Sequence, residues 1–226
     1  FFGKTPGERQ TVLGALKCGI VGRKSWSEKH RNIDVFDIKS DTIRTLIELG
    51  LNEDDLHISS KTKNCYHPGR SGSINLKSEQ GPHLAYFGEL HPAIVTNLDF
   101  KEKNIFGLEI FLKNIPQPNK KLRTSKKIYS VSDFQKSERD FAFVISKSFN
   151  VGKLEHLIKK IDINNIKKVL VFDVFEGQNI PEGKKSVAIN VTIQAFDKTL
   201  TEKDLDLISQ RIIETVREKT GATIRS

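Results

Sequence analysis

Hydrophobic and polar residues follow two regimes along the chain, one on each side of a proline-containing stretch near residue 116. In the first regime, Thr11–Val21, Ile33–Ile38, Leu84–Gly88 and Asn104–Leu112 are short apolar or alternating runs rich in β-branched and aromatic residues. Bounded by Gly, Asn, Ser and Pro, they predict strands. Between them Ile43, Leu46 and Ile47 form the buried stripe of a helix. Ser40 or Asp41 can cap it, and Gly50 lies where a left-handed terminating residue is wanted. A shorter helix is predicted at His91-Pro92, because proline fits the first helical position. This half reads as α+β with a largely antiparallel sheet.

The second regime is more regular. Phe141–Ser146 predicts a strand, and Val151, Leu154, Leu157, Ile158 and Ile161 then repeat at helical spacing. Val169–Phe175 is a second strand, turn residues fill 176–183, and Ser186–Phe196 is a third. Thr201-Glu202-Lys203-Asp204 reads as a capping box before Leu205, Ile208, Ile212 and Val216, which share one helical face. Gly221 ends that helix, and Ala222–Arg225 predicts a last short strand. The order β-α-β-β-α-β is the ferredoxin-like arrangement, an antiparallel sheet with both helices on one side.

Alternation then divides the faces. Val187, Ile189, Val191, Ile193 and Ala195 share the side facing the helices, while Ser186, Ala188, Asn190, Thr192 and Gln194 share the other. The small, polar side is either plain solvated sheet or a flat platform for single-stranded RNA. Strict alternation in the preceding strand sets Phe175 in phase with Val169, Val171 and Asp173, and turns Leu170, Phe172 and Val174 toward the helices.

Between the two regimes, Ile115-Pro116-Gln117-Pro118-Asn119 runs into Lys120, Lys121, Arg123, Lys126 and Lys127 with hardly an apolar residue. Two prolines in three positions continue neither a helix nor a central strand, so 116–130 reads as an extended basic linker between a domain at 1–115 and another at 131–226.

The composition is that of a folded chain, with 37% hydrophobic and 29% charged residues in 226. No apolar run reaches the roughly 20 residues of a membrane-spanning helix. Cys18 and Cys65 lie outside any C-x-x-C pair, which suits a reducing compartment and predicts a cytoplasmic protein. The chain starts at Phe1 and contains no methionine, as a piece cut from a longer polypeptide would. Its net charge of +9 is uneven: 16 basic residues face 14 acidic ones up to Ile115, but 21 face 14 beyond it. The basic second half points to a polyanion such as RNA, with a merely solvated lysine surface as the alternative.

Catalytic motifs are absent. His57, His67, His83, His91 and Cys65 crowd the first half without zinc-ligand spacing, and the His67-Pro68-Gly69 and His91-Pro92 contexts read as turn chemistry. There is no phosphate-binding glycine loop and no G-x-S-x-G elbow. A metal-dependent hydrolase built on His67, Glu89 and His91 is one rival reading, and a stand-alone RNA-binding protein is another.

Six longer strings carry more information. Tyr66-His67-Pro68-Gly69-Arg70-Ser71, Phe87-Gly88-Glu89-Leu90-His91-Pro92, Ser137-Glu138-Arg139-Asp140-Phe141-Ala142-Phe143, Val171-Phe172-Asp173-Val174-Phe175-Glu176-Gly177, Glu182-Gly183-Lys184-Lys185-Ser186 and Lys198-Thr199-Leu200-Thr201 follow one another in order. Together they resemble the C-terminal part of the β subunit of bacterial phenylalanine–tRNA ligase, over nearly the whole chain. The resemblance implies an α+β chain in which an antiparallel-sheet, class II synthetase-like module without an active site precedes a ferredoxin-fold anticodon-binding domain. It implies no cofactor for this fragment, ATP and Mg²⁺ for the whole enzyme, an α-subunit partner in an (αβ)₂ heterotetramer, tRNA(Phe) as the nucleic acid, and a bacterial cytoplasmic location.

By the same resemblance, Phe175 matches an aromatic position near the anticodon, Ser186 a polar contact and Arg225 a near-terminal arginine. Lys184 and Lys185 flank them as phosphate contacts. Phe134 falls in a string where the family often has Phe-Pro and this chain has Phe134-Gln135. Arg139 and Asp140 read as a charge pair fixing the first strand, with a tRNA-phosphate role for Arg139 as the alternative. His67, Arg70, Glu89 and His91 are expected to shape the vestigial site region.

Overall fold

The structure is a computed structural model describing residues 9–22, 26–27, 30–98, 100–102, 104–117 and 131–225. It forms two compact units dividing between Lys126 and Lys127. Most of the expected linker, residues 118–130, lies outside the described residues.

The first unit is a five-stranded antiparallel sheet in the order β1-β5-β4-β3-β2, built from β1 (Val12–Cys18), β2 (Leu56–Ser59), β3 (Tyr66–Leu76), β4 (His83–Leu90) and β5 (Ile105–Phe111). Helix α1 (Val35–Glu48) packs on β4 and β5, burying Ile38 and Leu46 against Ile74, Leu84, Phe87 and Ile110. Lys17 of β1 reaches Asp41 of α1 at 2.7 Å.

Two expectations for this unit fail. Ile33–Ile38 is not a strand, because Asp34 caps α1 there: its carboxylate accepts from the backbone of Phe36 and Asp37, and the Asp37 carboxylate accepts in return from the Asp34 backbone at 2.9 Å. Ser40 and Asp41 therefore lie within the helix rather than at its cap. Arg31 holds Asp37 through both guanidinium nitrogens at 2.7 Å, and this hydrogen bonding is the main cause of a carboxyl lowered from 3.8 to about 2. The second failure concerns His67-Pro68-Gly69, which lies inside β3 rather than in a turn. The pairing of β3 with β4 skips from Tyr66 to Ser71, so the proline occupies an irregularity where no ladder donor is needed. The helix at His91-Pro92 is present as α2 (Pro92–Asn97), with His91 as its cap.

The second unit contains β6 (Ser137–Ser146), α3 (Val151–Ile161), β7 (Ile166–Phe175), β8 (Lys184–Ile193), α4 (Glu202–Thr220) and β9 (Thr223–Ile224). Its antiparallel sheet has the order β7-β8-β6-β9. The capping box at Thr201 and Asp204 is formed, and Gly221 closes α4 at φ 66. Leu154 and Ile158 of α3 and Leu205, Ile208, Ile212 and Val216 of α4 bury one sheet face, meeting Val187, Ile189, Val191 and Ile193 of β8. The element order and the buried face of β8 are those the periodicity predicts.

Candidate nucleic-acid interface

Neighbours across an antiparallel ladder share a face, so the register of β8 maps the side left without helices. Phe175, Ser186, Val144 and Thr223 form one row across all four strands on that side. In the adjacent row, Asp173 pairs with Ala188 and Ala188 with Ala142, whose carbonyl accepts from the Arg225 backbone at 2.7 Å. The third row brings Leu170, Asn190 and Asp140 together, and the Asn190 amide donates to Asp140 at 2.7 Å.

Phe175 reaches this side because β7 is bulged. Val169 and Val171 pair with Val191 and Ile189 and pack under the helices, so an unbroken alternation would have buried Phe175 beside them. Phe172 instead has no partner in the ladder, the register shifts between Val171 and Asp173, and Phe175 arrives opposite Ser186. This corrects the expected facing of Leu170 and Phe172, which are exposed and not under the helices. Val174 does share the side of Val187, although it is exposed near the strand end.

Three expected site residues thus come together. The Arg225 guanidinium lies over the Phe175 ring, 5.8 Å from its centroid, although they spring from opposite edges of the sheet. Ser186 between them is 5% exposed and Val144 is 8% exposed, while Phe175 remains 42% exposed. The ring also packs down on Gly177, where an added Cβ would stand 2.9 Å from the Phe175 Cζ. Alternation places Ala188 on this side, but sequence reasoning misses Gly177 and Ala142 beside it. The facing pair of alanines is a readable sign of a low floor between two higher edges.

The remaining expectations divide. Lys184 pairs with Ser146 and is exposed on the Ser186 side. Lys185 has the opposite parity, and its ammonium donates to the Phe149 carbonyl at 2.8 Å, which takes it away from the open face. Arg139 also points to the helix side, where it is hydrogen-bonded to Glu202 in the first turn of α4. Arg139 and Asp140 are therefore not a pair, because consecutive strand residues face opposite ways. The Phe134 carbonyl accepts from Gln194 at 2.6 Å. Gln194 is eight residues along from Ser186, roughly 26 Å away, so Phe134 does not join the cluster.

In the first unit, the residues of the hydrolase reading are engaged separately. Glu89 is 5% exposed and bound by Arg70 through two nitrogens, one at 3.0 Å. His67 Nδ1 accepts from Gly69 at 3.0 Å, and His91 Nδ1 accepts from Ala93 at 3.3 Å as the cap of α2. His83 stacks near Tyr86 and Phe111, and burial pushes its pKa down. Among the described residues, no three His, Cys, Asp or Glu side chains come close enough to hold a metal ion, and no helix is long and apolar enough to cross a membrane.

Comparison with known proteins matches both units. Residues 3–112 fit the family model described as "Phenylalanyl tRNA synthetase beta chain CLM domain", and residues 132–225 that of the "Ferredoxin-fold anticodon binding domain". The phenylalanine–tRNA ligase beta subunit of Paramagnetospirillum magneticum is 33% identical over 225 residues, covering 100% of this chain and 28% of the relative. That of Bartonella quintana is 38% identical over 226 residues, covering 98% and 28%. That of Mesorhizobium japonicum is 38% identical over 214 residues, covering 94% and 26%. The chain therefore spans little more than a quarter of the length of these relatives.

Proposed function

We propose that this chain, which belongs to the phenylalanine–tRNA ligase β-subunit family, supplies the anticodon-binding surface of such a ligase and supports ATP-dependent charging of tRNA(Phe) without carrying out the chemistry. The observation that carries this reading is the convergence of Phe175, Ser186 and Arg225 on the helix-free face of a ferredoxin-like sheet. That face lies within the residues that match an anticodon-binding domain. An exposed aromatic on a sheet stacks single-stranded bases, and flanking cations bind phosphates. Lys184 suits the second role; Lys185 and Arg139 are committed within the protein.

The first unit, 1–115, is on this reading an inactive class II synthetase-like module that assembles with an α subunit in an (αβ)₂ enzyme in the bacterial cytoplasm, joined through 116–130 to the anticodon domain at 131–226. ATP and Mg²⁺ would supply the activation of phenylalanine. The described side chains of this chain do not assemble a metal-ligand group, and no step of that chemistry is assigned to them. The hydrolase and stand-alone RNA-binding readings are not favoured, since both units match parts of one ligase subunit.

Salt-dependent titration with the anticodon stem-loop of tRNA(Phe) and a scrambled-anticodon control tests the proposal. Phe175→Ala should weaken cognate binding by about 1–3 kcal/mol with little change in salt slope. Lys184→Ala should lower the slope by about one and weaken both RNAs alike. A folded Phe175→Ala variant that binds the cognate loop as tightly as wild type would refute it.

A further inference from the structure

The first unit carries a different kind of site, on the side of its sheet that faces away from α1. Leu108 and Ile110 pack into the core beneath that helix, so Glu109 between them points the other way. In the ladders Tyr86 lies opposite Glu109 on one flank and Gly14 on the other. Phe111 comes two residues after Glu109 on the same side, its ring 5.9 Å from that of Tyr86 and nearly perpendicular to it at 84°. A carboxylate thus stands beside two aromatic rings, with a glycine leaving its far flank clear.

Lys63 fills this corner. Its ammonium is 2.6 Å from the Glu109 carboxylate, 4.7 Å from the Tyr86 ring centroid and 5.1 Å from that of Phe111. Both ring distances fall within the roughly 6 Å over which a ring face attracts a cation. The approach is not a local one. Lys63 belongs to the connection between β2 and β3, whereas β5 lies two strand spacings beyond β3, about 10 Å away. The connection therefore folds across the sheet, in keeping with the burial of Ser73, which faces away from α1 in line with Tyr86. His83 closes one wall with its ring 4.1 Å from that of Tyr86. Burial first, and then the Lys63 charge, push the His83 pKa down, so its ring stays neutral at neutral pH and the corner holds one cation.

The Lys63 and Glu109 side chains remain 41% and 35% exposed, so the corner opens to solvent and a small molecule can reach it. We propose that Glu109, Tyr86 and Phe111 form an ammonium-binding site, which Lys63 occupies as an internal ligand that holds the β2–β3 connection over the sheet, and which takes a small primary ammonium ion once the Lys63 ammonium is removed. Charge is what the site selects. A neutral molecule of the same shape gains neither the charge-assisted hydrogen bond to Glu109 nor the attraction of the two ring faces. The site is independent of RNA binding by the second unit.

The experiment titrates the full chain, as wild type, Lys63→Ala and Lys63→Ala with Glu109→Gln, at constant ionic strength. The probes are n-propylammonium, which replaces the atoms removed beyond Cβ, and 1-propanol, its neutral match. In Lys63→Ala, propylammonium should shift the Tyr86 and Phe111 amide resonances saturably, with a dissociation constant on the order of 10 mM. It should also restore exchange protection to the Tyr66 amide, which donates to the carbonyl of residue 63; 1-propanol should do neither. Wild type, with its tethered ammonium in place, and the double variant should show no saturable shift. Equal responses to the two probes in Lys63→Ala, or as strong a propylammonium response in wild type, would overturn the site. Wild type alone supplies a second test that holds even if Lys63→Ala does not fold. Its Lys63 should be acetylated on the order of tenfold more slowly than Lys61, whose side chain is 78% exposed, and equal rates would refute the proposal.

Discussion

Removing Arg70 measures what the Arg70–Glu89 pair does in the first unit. Glu89 is 5% exposed and its carboxylate takes two bonds from the guanidinium, whose side chain stays 53% exposed. Truncating one partner of a fully buried pair costs about 3–5 kcal/mol, because the other charge is stranded. Here half of the guanidinium already lies in water, so the vacated space admits solvent and the carboxylate regains part of its hydration. Arg70→Ala should therefore cost about 2–3 kcal/mol at neutral pH. Glu89→Gln keeps the shape without the charge, and adding Arg70→Ala to it should cost under about 1 kcal/mol. Because the chain has two units, the assay must report on one of them. Amide hydrogen exchange within β3 and β4 does so, and protection there should fall roughly 30- to 160-fold in Arg70→Ala if those amides open with the unit. A single variant within about 0.5 kcal/mol of wild type would refute the reasoning, as would a double variant that loses as much as the single.

Two more perturbations test local geometry. Gly177→Ala places a Cβ 2.9 Å from the Phe175 Cζ; the half-exposed ring can swing aside, so stability should stay within about 0.5 kcal/mol while stem-loop affinity falls about three- to tenfold, and unchanged affinity would show that Gly177 does not set the ring. Asp37, lowered to about 2 chiefly by the Arg31 hydrogen bond, contributes stability that is complete above its unfolded pKa and is lost as pH falls from about 4 toward 2. Arg31→Ala should flatten that acid-limb loss, measured by urea unfolding across pH; an equally steep loss in the variant would sever the link.

The second unit was legible because its helices and its long strand each bury one clean face. Val187, Ile189, Val191 and Ile193 alternate without interruption, and Leu205, Ile208, Ile212 and Val216 share one helical face. The first unit was harder to read. Ile33, Val35 and Ile38 suit a strand as well as a helix, and only the reciprocal bonds of Asp34 and Asp37 decide for the helix. Pro68 and Gly69 look like the end of a strand when they are an interruption within one. At the site, Phe175, Ser186 and Arg225 were named from a resemblance, and the sheet register shows how they meet. Residue type made Lys185 and Arg139 candidates, but a carbonyl on the α3 side and a carboxylate on α4 engage them. Those partners lie 36 and 63 positions away, beyond the reach of any local pattern.

The extra residue at Phe172 has a consequence for how β7 tolerates change. It works as a phase shifter, uncoupling the stretch that packs beneath the helices from the stretch that carries Phe175. Substitutions at Ile166, Val169 and Val171 can be judged by volume and those in Asp173–Phe175 by what they present to solvent, because neither stretch constrains the parity of the other. Register, not length, carries the aromatic. Deleting Phe172 would restore an unbroken ladder from Val171 to Phe175 and keep Phe175 opposite Ser186, whereas drawing Phe172 into the ladder at unchanged length would set Phe175 opposite Lys185, on the side of Val187, leaving a sheet with its fold intact and its aromatic turned to the wrong side.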